Sequence, residues 1–270
     1  MIRKIIFVSI MGLLLQIGAV NAGTTGSEEM KDSGSQGTTK ECFEGVSRAM
    51  FKLNHGLDKA IFEPVAKGYR ALPVPIRKGT GNVVDNLRSL LTLSNHVLQG
   101  DFREAGTTAG RFAVNTTVGI LGIFDPASAI GLKEQGKEDF GQTLGKWGAG
   151  SGCYFVLPIL GPTTTRDAIG LVGNIFIDPV YQITHNTEID NGAIGNGNYS
   201  EHNYYYYRGT SAVDFRAKNI ESFDSLEKTT IDLYASVKSL YLQDRNKKIL
   251  NSQTAVATQD DSDWEEIDTN

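Results

Sequence analysis

Apolar residues recur every three or four positions through most of the chain. The first such set is Phe43, Val46, Met50, Leu53, Leu57 and Ile61, a spacing that places all six on one face of a helix. The same period continues over Pro75–Leu98, Asp101–Val118, Tyr204–Phe223 and Thr229–Leu250. Few stretches alternate with the two-residue period of a strand. The pattern predicts an all-α body with little or no sheet.

Two short apolar runs, Gly119–Phe124 and Phe155–Leu160, are interrupted by glycine or proline. No stretch after residue 22 has the roughly twenty consecutive apolar residues that a membrane-spanning helix needs. The runs fit either a buried core or a protein that lies in one leaflet of a membrane. The four tyrosines of Tyr204–Tyr207 likewise fit an interfacial aromatic anchor or a packed helix surface.

The ends of the chain differ from its body. Residues 1–22 combine Arg3 and Lys4 with an apolar run and a small-residue site at Val20-Asn21-Ala22, which predicts a secretory signal peptide and export; an uncleaved membrane anchor is the alternative. Residues 23–40 are polar and predict a flexible leader. Residues 252–270 predict an acidic flexible tail, so the folded domain is expected over 41–251.

The net charge bears on the kind of partner, and the cysteine content bears on a possible disulfide. The chain carries a formal net charge of -5 and has no basic stripe, so nucleic acid is not an expected partner. Its two cysteines, Cys42 and Cys153, fit one disulfide or two free thiols in an oxidising compartment.

The sequence contains no motif of a common enzyme class, neither a P-loop nor H-E-x-x-H nor G-x-S-x-G. The four histidines lie at no metal-ligand spacing, so neither a metal site nor another cofactor is expected. Charged residues such as Arg111, Asp125, Arg166 and Asp167 fit buried ion pairs or a catalytic site equally well. A soluble periplasmic carboxylate-dependent hydrolase is therefore the alternative function.

Five stretches, taken in order, resemble the MlaA (VacJ) family of Gram-negative outer-membrane proteins. They are MFKLNHGLDKAIFEPVAKGYRALP (50–73), NLRSLLTLSNHVLQGDF (86–102), GRFAVNTTVGILGIFDPAS (110–128), EDFGQTLGKWGAGSGCYFVLPILGPTTTRD (138–167) and DLYASVKSLYLQDR (232–245). The resemblance covers most of the body.

The resemblance implies a ring of amphipathic helices, monotopic in the periplasmic leaflet of the outer membrane, that encloses an amphipathic channel. It implies a non-enzymatic protein that extracts mislocalised phospholipid from the outer leaflet and passes it to the periplasmic carrier MlaC, in association with a trimeric outer-membrane porin. A scaffold that only binds the porin is a further alternative. One departure concerns the lipid anchor, because AVNAGTTG carries no cysteine after the signal and Cys42 lacks a lipobox.

Candidate site residues follow from this resemblance. Gly131–Gly152 is the candidate for the family's flexible gating hairpin. Arg111 and Arg166 fit a phosphate contact or, as we favour, a structural ion pair, with Asp125 or Asp139 as partner of Arg166. The channel or gate candidates are Phe140, Gln142, Leu144, Trp147, Phe155, Leu157, Ile159 and Leu160. The candidates for polar lining or ion pairs are Arg111, Asn115, Asp125, Arg166 and Asp167.

Two local features complete the expectations. Thr163–Thr165 precedes Arg166-Asp167 as a helix N-cap, with Asp167 favoured by the helix dipole. The helix that carries Asn54, Leu57 and Asp58 matches the family's N-terminal motif and is expected to pack against the ring.

Overall fold

Helices make up most of the structure, a computed structural model that describes residues 30–31, 38–185 and 201–250. This confirms the all-α prediction. Within these residues no helix is both long enough and apolar enough to cross a membrane. The helices are α1 (Glu44–Leu57), a π-helical turn (Asp58–Phe62), α2 (Glu63–Arg70), α3 (Val74–Gln99), α4 (Phe102–Thr117), α5 (Pro126–Ala129), α6 (Phe140–Lys146), α7 (Thr165–Ile177), α8 (Pro179–His185), α9 (Glu201–Lys218), α10 (Ile220–Thr229) and α11 (Leu233–Ile249).

The 26-residue helix α3 and the 16-residue helix α4 pack together and are joined by a tight turn. Gly100 ends α3 with a φ of 78° and donates its N–H to the Val97 carbonyl at 3.1 Å, a left-handed C-cap that glycine adopts without steric cost. The two helices together position most of the polar groups described below.

The helix that begins at Glu44 changes its winding at the π-helical turn. Pro64 follows this turn, and proline has no N–H to continue a regular helical ladder. The turn brings the Asp58 carboxylate against Arg216 of α9, with two hydrogen bonds of 2.8 Å. The helical period alone did not predict this break.

A small sheet of four strands packs against the helices. Its strands are β1 (Met30–Lys31), β2 (Thr38–Glu41), β3 (Cys153–Leu157) and β4 (Gly161–Thr164), in the order β1-β2-β3-β4. Strands β2 and β3 are parallel, whereas β3 and β4 form an antiparallel hairpin. Strand β2 includes residues 38–40, which composition assigned to the leader, because strand pairing uses backbone groups and needs no apolar side chains.

A disulfide between Cys42 and Cys153 fastens β2 to β3 across 111 residues of sequence. Beside it, the side chains of β3 alternate: Tyr154 and Val156 are buried against Tyr234 of α11, whereas Phe155 and Leu157 lie half-buried on the other face. The sheet thus connects the first helices to the last one.

The range Gly131–Gly152, expected as a hairpin, contains an irregular segment followed by α6, and its role as a gate stays a prediction. Asp139 caps α6 by accepting a hydrogen bond from the Gln142 N–H at 3.0 Å. The glycines of α6 serve close packing rather than bending, since a Cβ on Gly145 would lie 2.8 Å from the Ile249 side chain. The hairpin of this region lies further along the chain, in β3–β4.

Helices α6 and α7 cross with backbone in contact. A Cβ on Gly170 would lie 2.4 Å from the Gly141 nitrogen. We therefore expect Gly170→Ala to lower the free energy of unfolding by about 1–3 kcal/mol through overpacking, measured by urea denaturation in mild detergent. Gly209→Ala is the control, because nothing lies within 4 Å of its Cβ position, and it should stabilise α9 by about 0.5–1 kcal/mol. Equal stability of the two variants would contradict the close crossing.

Candidate functional site

A polar cavity of about 80 Å³ lies between α3, α4 and the segment that follows α5. Polar residues recur with helical spacing on the facing sides of both helices, at Asn82, Asp85, Asn86, Ser89 and Thr92 of α3 and at Thr108, Arg111 and Asn115 of α4. The remaining lining residues are Arg88, Asp125, Glu134, Gln135 and Lys137. Two facing polar stripes between packed helices thus form a polar site.

Arg111, Asn115 and Asp125, three of the predicted polar residues, meet at one end of this cavity. The Arg111 guanidinium donates to Asp125 Oδ2 at 2.9 Å, and Asn115 Nδ2 donates to Asp125 Oδ1 at 2.9 Å. Burial raises the pKa of Asp125, but hydrogen bonds from Ser128, Asn115 and Arg111 outweigh it and hold the pKa at about 2. Arg111 therefore forms an ion pair here, the role that we favoured.

A second cavity, of about 590 Å³, is largely apolar. It lies between α1, the π-helical turn, α10, α11 and the tip of the β3–β4 hairpin. Its apolar lining residues include Phe51, Leu57, Phe62, Ile159, Phe215, Phe223, Leu226, Leu233, Val237 and Leu240. Its volume falls in the range of roughly 300–1,000 Å³ that is typical of binding sites for small molecules.

Charged residues form one edge of the apolar cavity. Lys59 pairs with Glu227 at 2.6 Å and with Glu63 at 3.1 Å. The Asp58–Arg216 pair lines the same cavity. One molecule bound here would meet both an apolar wall and a charged edge, which suits an amphipathic ligand.

Asn54 holds the tip of the hairpin at the cavity. Its Nδ2 donates to the Leu157 carbonyl at 2.8 Å, and its Oδ1 accepts from the Ile159 N–H at 2.6 Å. These bonds hold Ile159 in a left-handed conformation with a φ of 66° while its side chain stays exposed. The motif around Asn54 thus contacts the hairpin tip directly.

Arg166 and Asp167 lie in a buried charge network outside both cavities. Arg245 of α11 bridges two carboxylates, with 2.6 Å from Nη1 to Asp139 Oδ2 and 2.7 Å from Nη2 to Asp167 Oδ1. Tyr241 donates to Asp167 Oδ2 at 2.6 Å. Burial acts to raise the pKa of both carboxyls, but the Arg245 charge and hydrogen bonds outweigh it and lower both pKa values.

The expected partners of Arg166 were wrong. Arg166 is only 4 % exposed and pairs with the neighbouring Asp167, with 3.1 Å from Nε to Oδ1. Asp139 pairs with Arg245 and Asp125 with Arg111, because tertiary packing brings those guanidinium groups closer. The expected N-cap is confirmed, since Thr164 Oγ1 accepts from the Asp167 N–H at 3.2 Å.

Of the eight channel or gate candidates, one lines either of these two cavities. Ile159 lines the apolar cavity. Gln142 is buried and donates to the Lys137 carbonyl and to Asp139, so it braces the start of α6. The remaining six candidates, whose role in lipid passage stays a prediction, are Phe140, Leu144, Trp147, Phe155, Leu157 and Leu160.

Glu138, beside this network, is a buried carboxyl that the sequence did not single out. Gln99 Nε2 donates to its Oε2 at 3.0 Å. Burial raises the pKa of Glu138 to about 7. The Gln99 hydrogen bond and the positive charges of Lys146 and Arg245 act to lower this pKa, but they are weaker than the effect of burial. Because Glu138 directly precedes the Asp139 cap, we expect the α3–α6 contact to depend on pH.

We expect Glu138→Gln to stabilise the protein at pH 8 by up to about 3 kcal/mol and to leave it unchanged near pH 4.5. A carboxyl whose pKa is raised on folding contributes most below its unfolded pKa and loses that contribution as pH rises through about 7. Urea denaturation at pH 4.5, 6 and 8 tests this. Glu134→Gln, at an exposed carboxylate, is the control, and parallel pH profiles for both variants would refute the expectation.

Comparison with known proteins decides the family. A family model described as MlaA lipoprotein matches residues 39–248. The chain belongs to the MlaA family. This confirms the resemblance drawn from the five sequence stretches.

Two relatives are similar to this chain over different lengths. The intermembrane phospholipid transport system lipoprotein MlaA of Haemophilus influenzae is 30% identical over 229 residues, which cover 83% of this chain and 85% of that protein. Protein RP093 of Rickettsia prowazekii is 37% identical over 146 residues, 53% of this chain and little more than half, 58%, of the relative.

A solved structure shares the MlaA-family fold. It comes from work on the structural basis for maintenance of bacterial outer membrane lipid asymmetry, and it superposes with a TM-score of 0.66 at 27% identity. The match covers 78% of this chain and 99% of that one. The helical architecture described above is therefore that of the family.

The polar stripe of α3 and the Thr108 position of α4 are the part of the site that the sequence did not single out. Arg111 and Asn115 were among the predicted polar residues, but Thr108, three positions before Arg111 on the same face of α4, and the polar residues of α3 were not. A helical period counted for polar residues as well as for apolar ones finds both stripes.

Proposed function

We propose that this protein transports phospholipid and does not act as an enzyme. In this proposal it lies in the periplasmic leaflet of the outer membrane, extracts mislocalised phospholipid from the outer leaflet and passes it to the periplasmic carrier MlaC. A trimeric porin holds it in place. Membership of the MlaA family and the names of its relatives support the lipid-transport part.

The apolar cavity is the observation that carries the proposal. Its volume of about 590 Å³ and its apolar lining suit acyl chains, and its charged edge suits a headgroup. Each methylene that leaves water for such a wall contributes about 0.8 kcal/mol. Lining side chains such as Ile159 and Leu240 are exposed, so the site favours lipid binding while leaving a route for release.

Four exposed apolar residues with a left-handed backbone conformation support contact with lipid. In the described residues every non-glycine residue with a positive φ has an exposed apolar side chain, namely Phe43, Ile120, Leu121 and Ile159. A left-handed conformation is unfavourable for such residues, most of all for β-branched isoleucine. Exposure of these four apolar side chains to water costs additional free energy, and their insertion into a leaflet would remove that cost.

The carboxylates considered for a hydrolase have structural partners. Asp125 accepts from Arg111, Asn115 and Ser128, and Asp167 accepts from Arg245, Arg166 and Tyr241. Carboxylates held in this way with lowered pKa values are poor proton acceptors near neutral pH. This favours transport over the hydrolase.

Bound lipid tests the proposal. Wild-type protein is purified from membranes in mild detergent, and co-purified phospholipid is quantified by mass spectrometry. Leu240→Asp places a carboxylate in the apolar cavity and should reduce bound phospholipid about tenfold, since that loss corresponds to only about 1.4 kcal/mol. The matched control is Leu250→Asp, because Leu250 is 48% exposed, Leu240 is 52% exposed, and only Leu240 lines the cavity.

The outcomes separate the candidate functions. Lipid in the wild type and in the control, together with loss in Leu240→Asp, supports transport. Absence of lipid from the wild type would refute it and favour the hydrolase. Equal amounts of bound lipid in all three proteins would show that the apolar cavity does not bind the lipid. A protein that binds the porin but transports no lipid would favour the scaffold.

A further inference from the structure

Among the described residues, Arg88 is the cation of the polar cavity that forms no ion pair. Three cationic side chains line this cavity. Arg111 pairs with Asp125, and Lys137 pairs with Asp85. Arg88 itself is a half-buried residue. Its planar fork of donors matches the oxygens of a phosphate group.

Thr108 adds a second group that lacks a partner in the same cavity. Its side chain is 4 % exposed, and its hydroxyl forms no hydrogen bond within the described part of the chain. Buried hydroxyls in native structures nearly always have a partner. The cavity of about 80 Å³ has room for several waters of roughly 10–15 Å³ each, and hence for a phosphate group.

Glu134 supplies the opposite charge at the exposed rim. Its carboxylate lines the cavity and forms no ion pair with a described residue. The remaining charges of the lining are therefore one cation inside and one anion at the mouth. A ligand with a phosphate and an ammonium group matches this arrangement.

We infer that the polar cavity binds a zwitterionic phospholipid headgroup, with the phosphodiester at Arg88 and Thr108 and the ammonium group at Glu134. The inference rests on the proposed transport function and names the headgroup class that this site selects. The polar cavity is thus a headgroup-selective site in addition to the charged edge of the apolar cavity.

Competition between two lipids tests the inference. Full-length wild type and variants, in mild detergent, are incubated with mixed micelles that contain equal amounts of phosphatidylethanolamine and phosphatidylglycerol. Each protein is purified again, its thermal stability is checked, and its bound lipids are quantified by mass spectrometry. A parallel titration of delipidated protein with inorganic phosphate distinguishes a lipid headgroup from free phosphate.

The variants have distinct expected results. Arg88→Gln should reduce total bound phospholipid about tenfold, and Thr108→Val, which keeps the shape of the side chain, about threefold. Glu134→Gln should leave total lipid nearly unchanged but abolish the preference for phosphatidylethanolamine. Arg103→Gln, at an exposed arginine of α4 outside the cavity lining, is the matched control and should behave as wild type.

Several results would overturn the inference. Wild-type amounts and ratios of lipid in Arg88→Gln and Glu134→Gln would refute it while leaving lipid transport intact. Arg88-dependent binding of inorganic phosphate, with bound lipid unchanged in every variant, would assign the cavity to free phosphate instead. Absence of phospholipid from the wild type would refute the proposed function itself.

Discussion

Replacing Arg245 with methionine is expected to lower the free energy of unfolding by about 3–5 kcal/mol, because it leaves two buried carboxylates without their cation. Arg245 is the bridge between Asp139, which caps α6, and Asp167, in the first turn of α7. Loss of the guanidinium therefore weakens the junction of three helices at once. Urea denaturation of the detergent-solubilised protein measures the change.

Two further variants make this test specific. Lys248 lies three residues after Arg245 in α11 and forms an exposed ion pair with Asp244. Lys248→Met should lower the free energy of unfolding by less than about 1 kcal/mol. The triple variant Arg245→Met, Asp139→Asn, Asp167→Asn should recover part of the loss, since it removes the unpaired charges together with the bridge. Similar losses for Arg245→Met and Lys248→Met would show that the buried bridge has no special role.

Removing the disulfide, by Cys42→Ser with Cys153→Ser, is expected to lower the free energy of unfolding by about 2–5 kcal/mol. The bond spans 111 residues, and a closed loop of that order loses much conformational entropy in the unfolded chain. In addition, the bond lies beside the parallel pairing of Lys40 with Cys153. Thermal and urea unfolding of the wild type and the double variant measure the difference.

A reductant provides the control for the disulfide. It should destabilise the wild type to the level of the double variant and leave the double variant unchanged. A reductant effect of equal size in both proteins would mean that reduction acts elsewhere than at Cys42–Cys153.

Local sequence patterns predicted the elements that depend on local interactions. The long helices α3 and α4 follow their apolar period closely, and the Thr164 N-cap requires only neighbours in sequence. The π-helical turn and the short strands were missed, because Pro64 acts on a helix that looks continuous and β2 pairs with residues more than a hundred positions away.

In the candidate site, too, pairs of residues close in sequence were easier to predict than pairs brought together by packing. Arg111 and Asp125 lie 14 residues apart, and their pairing fits the expectation of a structural ion pair. Arg166 received the wrong partners because the competing cation, Arg245, comes from α11 and is brought to Asp139 only by packing. Arg88 was overlooked since one arginine in an amphipathic helix looks like ordinary surface charge until its neighbours are seen to be paired.

The bond between Cys42 and Cys153 joins the only two cysteines of the chain. Oxidation within one molecule therefore has a single possible product, and no incorrect intramolecular bond requires reshuffling. A thiol oxidase suffices for maturation, and a disulfide isomerase is not required. Cys42 can form this bond only after β3, which carries Cys153, has reached the same compartment. Oxidation of Cys42 before that point would instead form a disulfide between two copies of the chain.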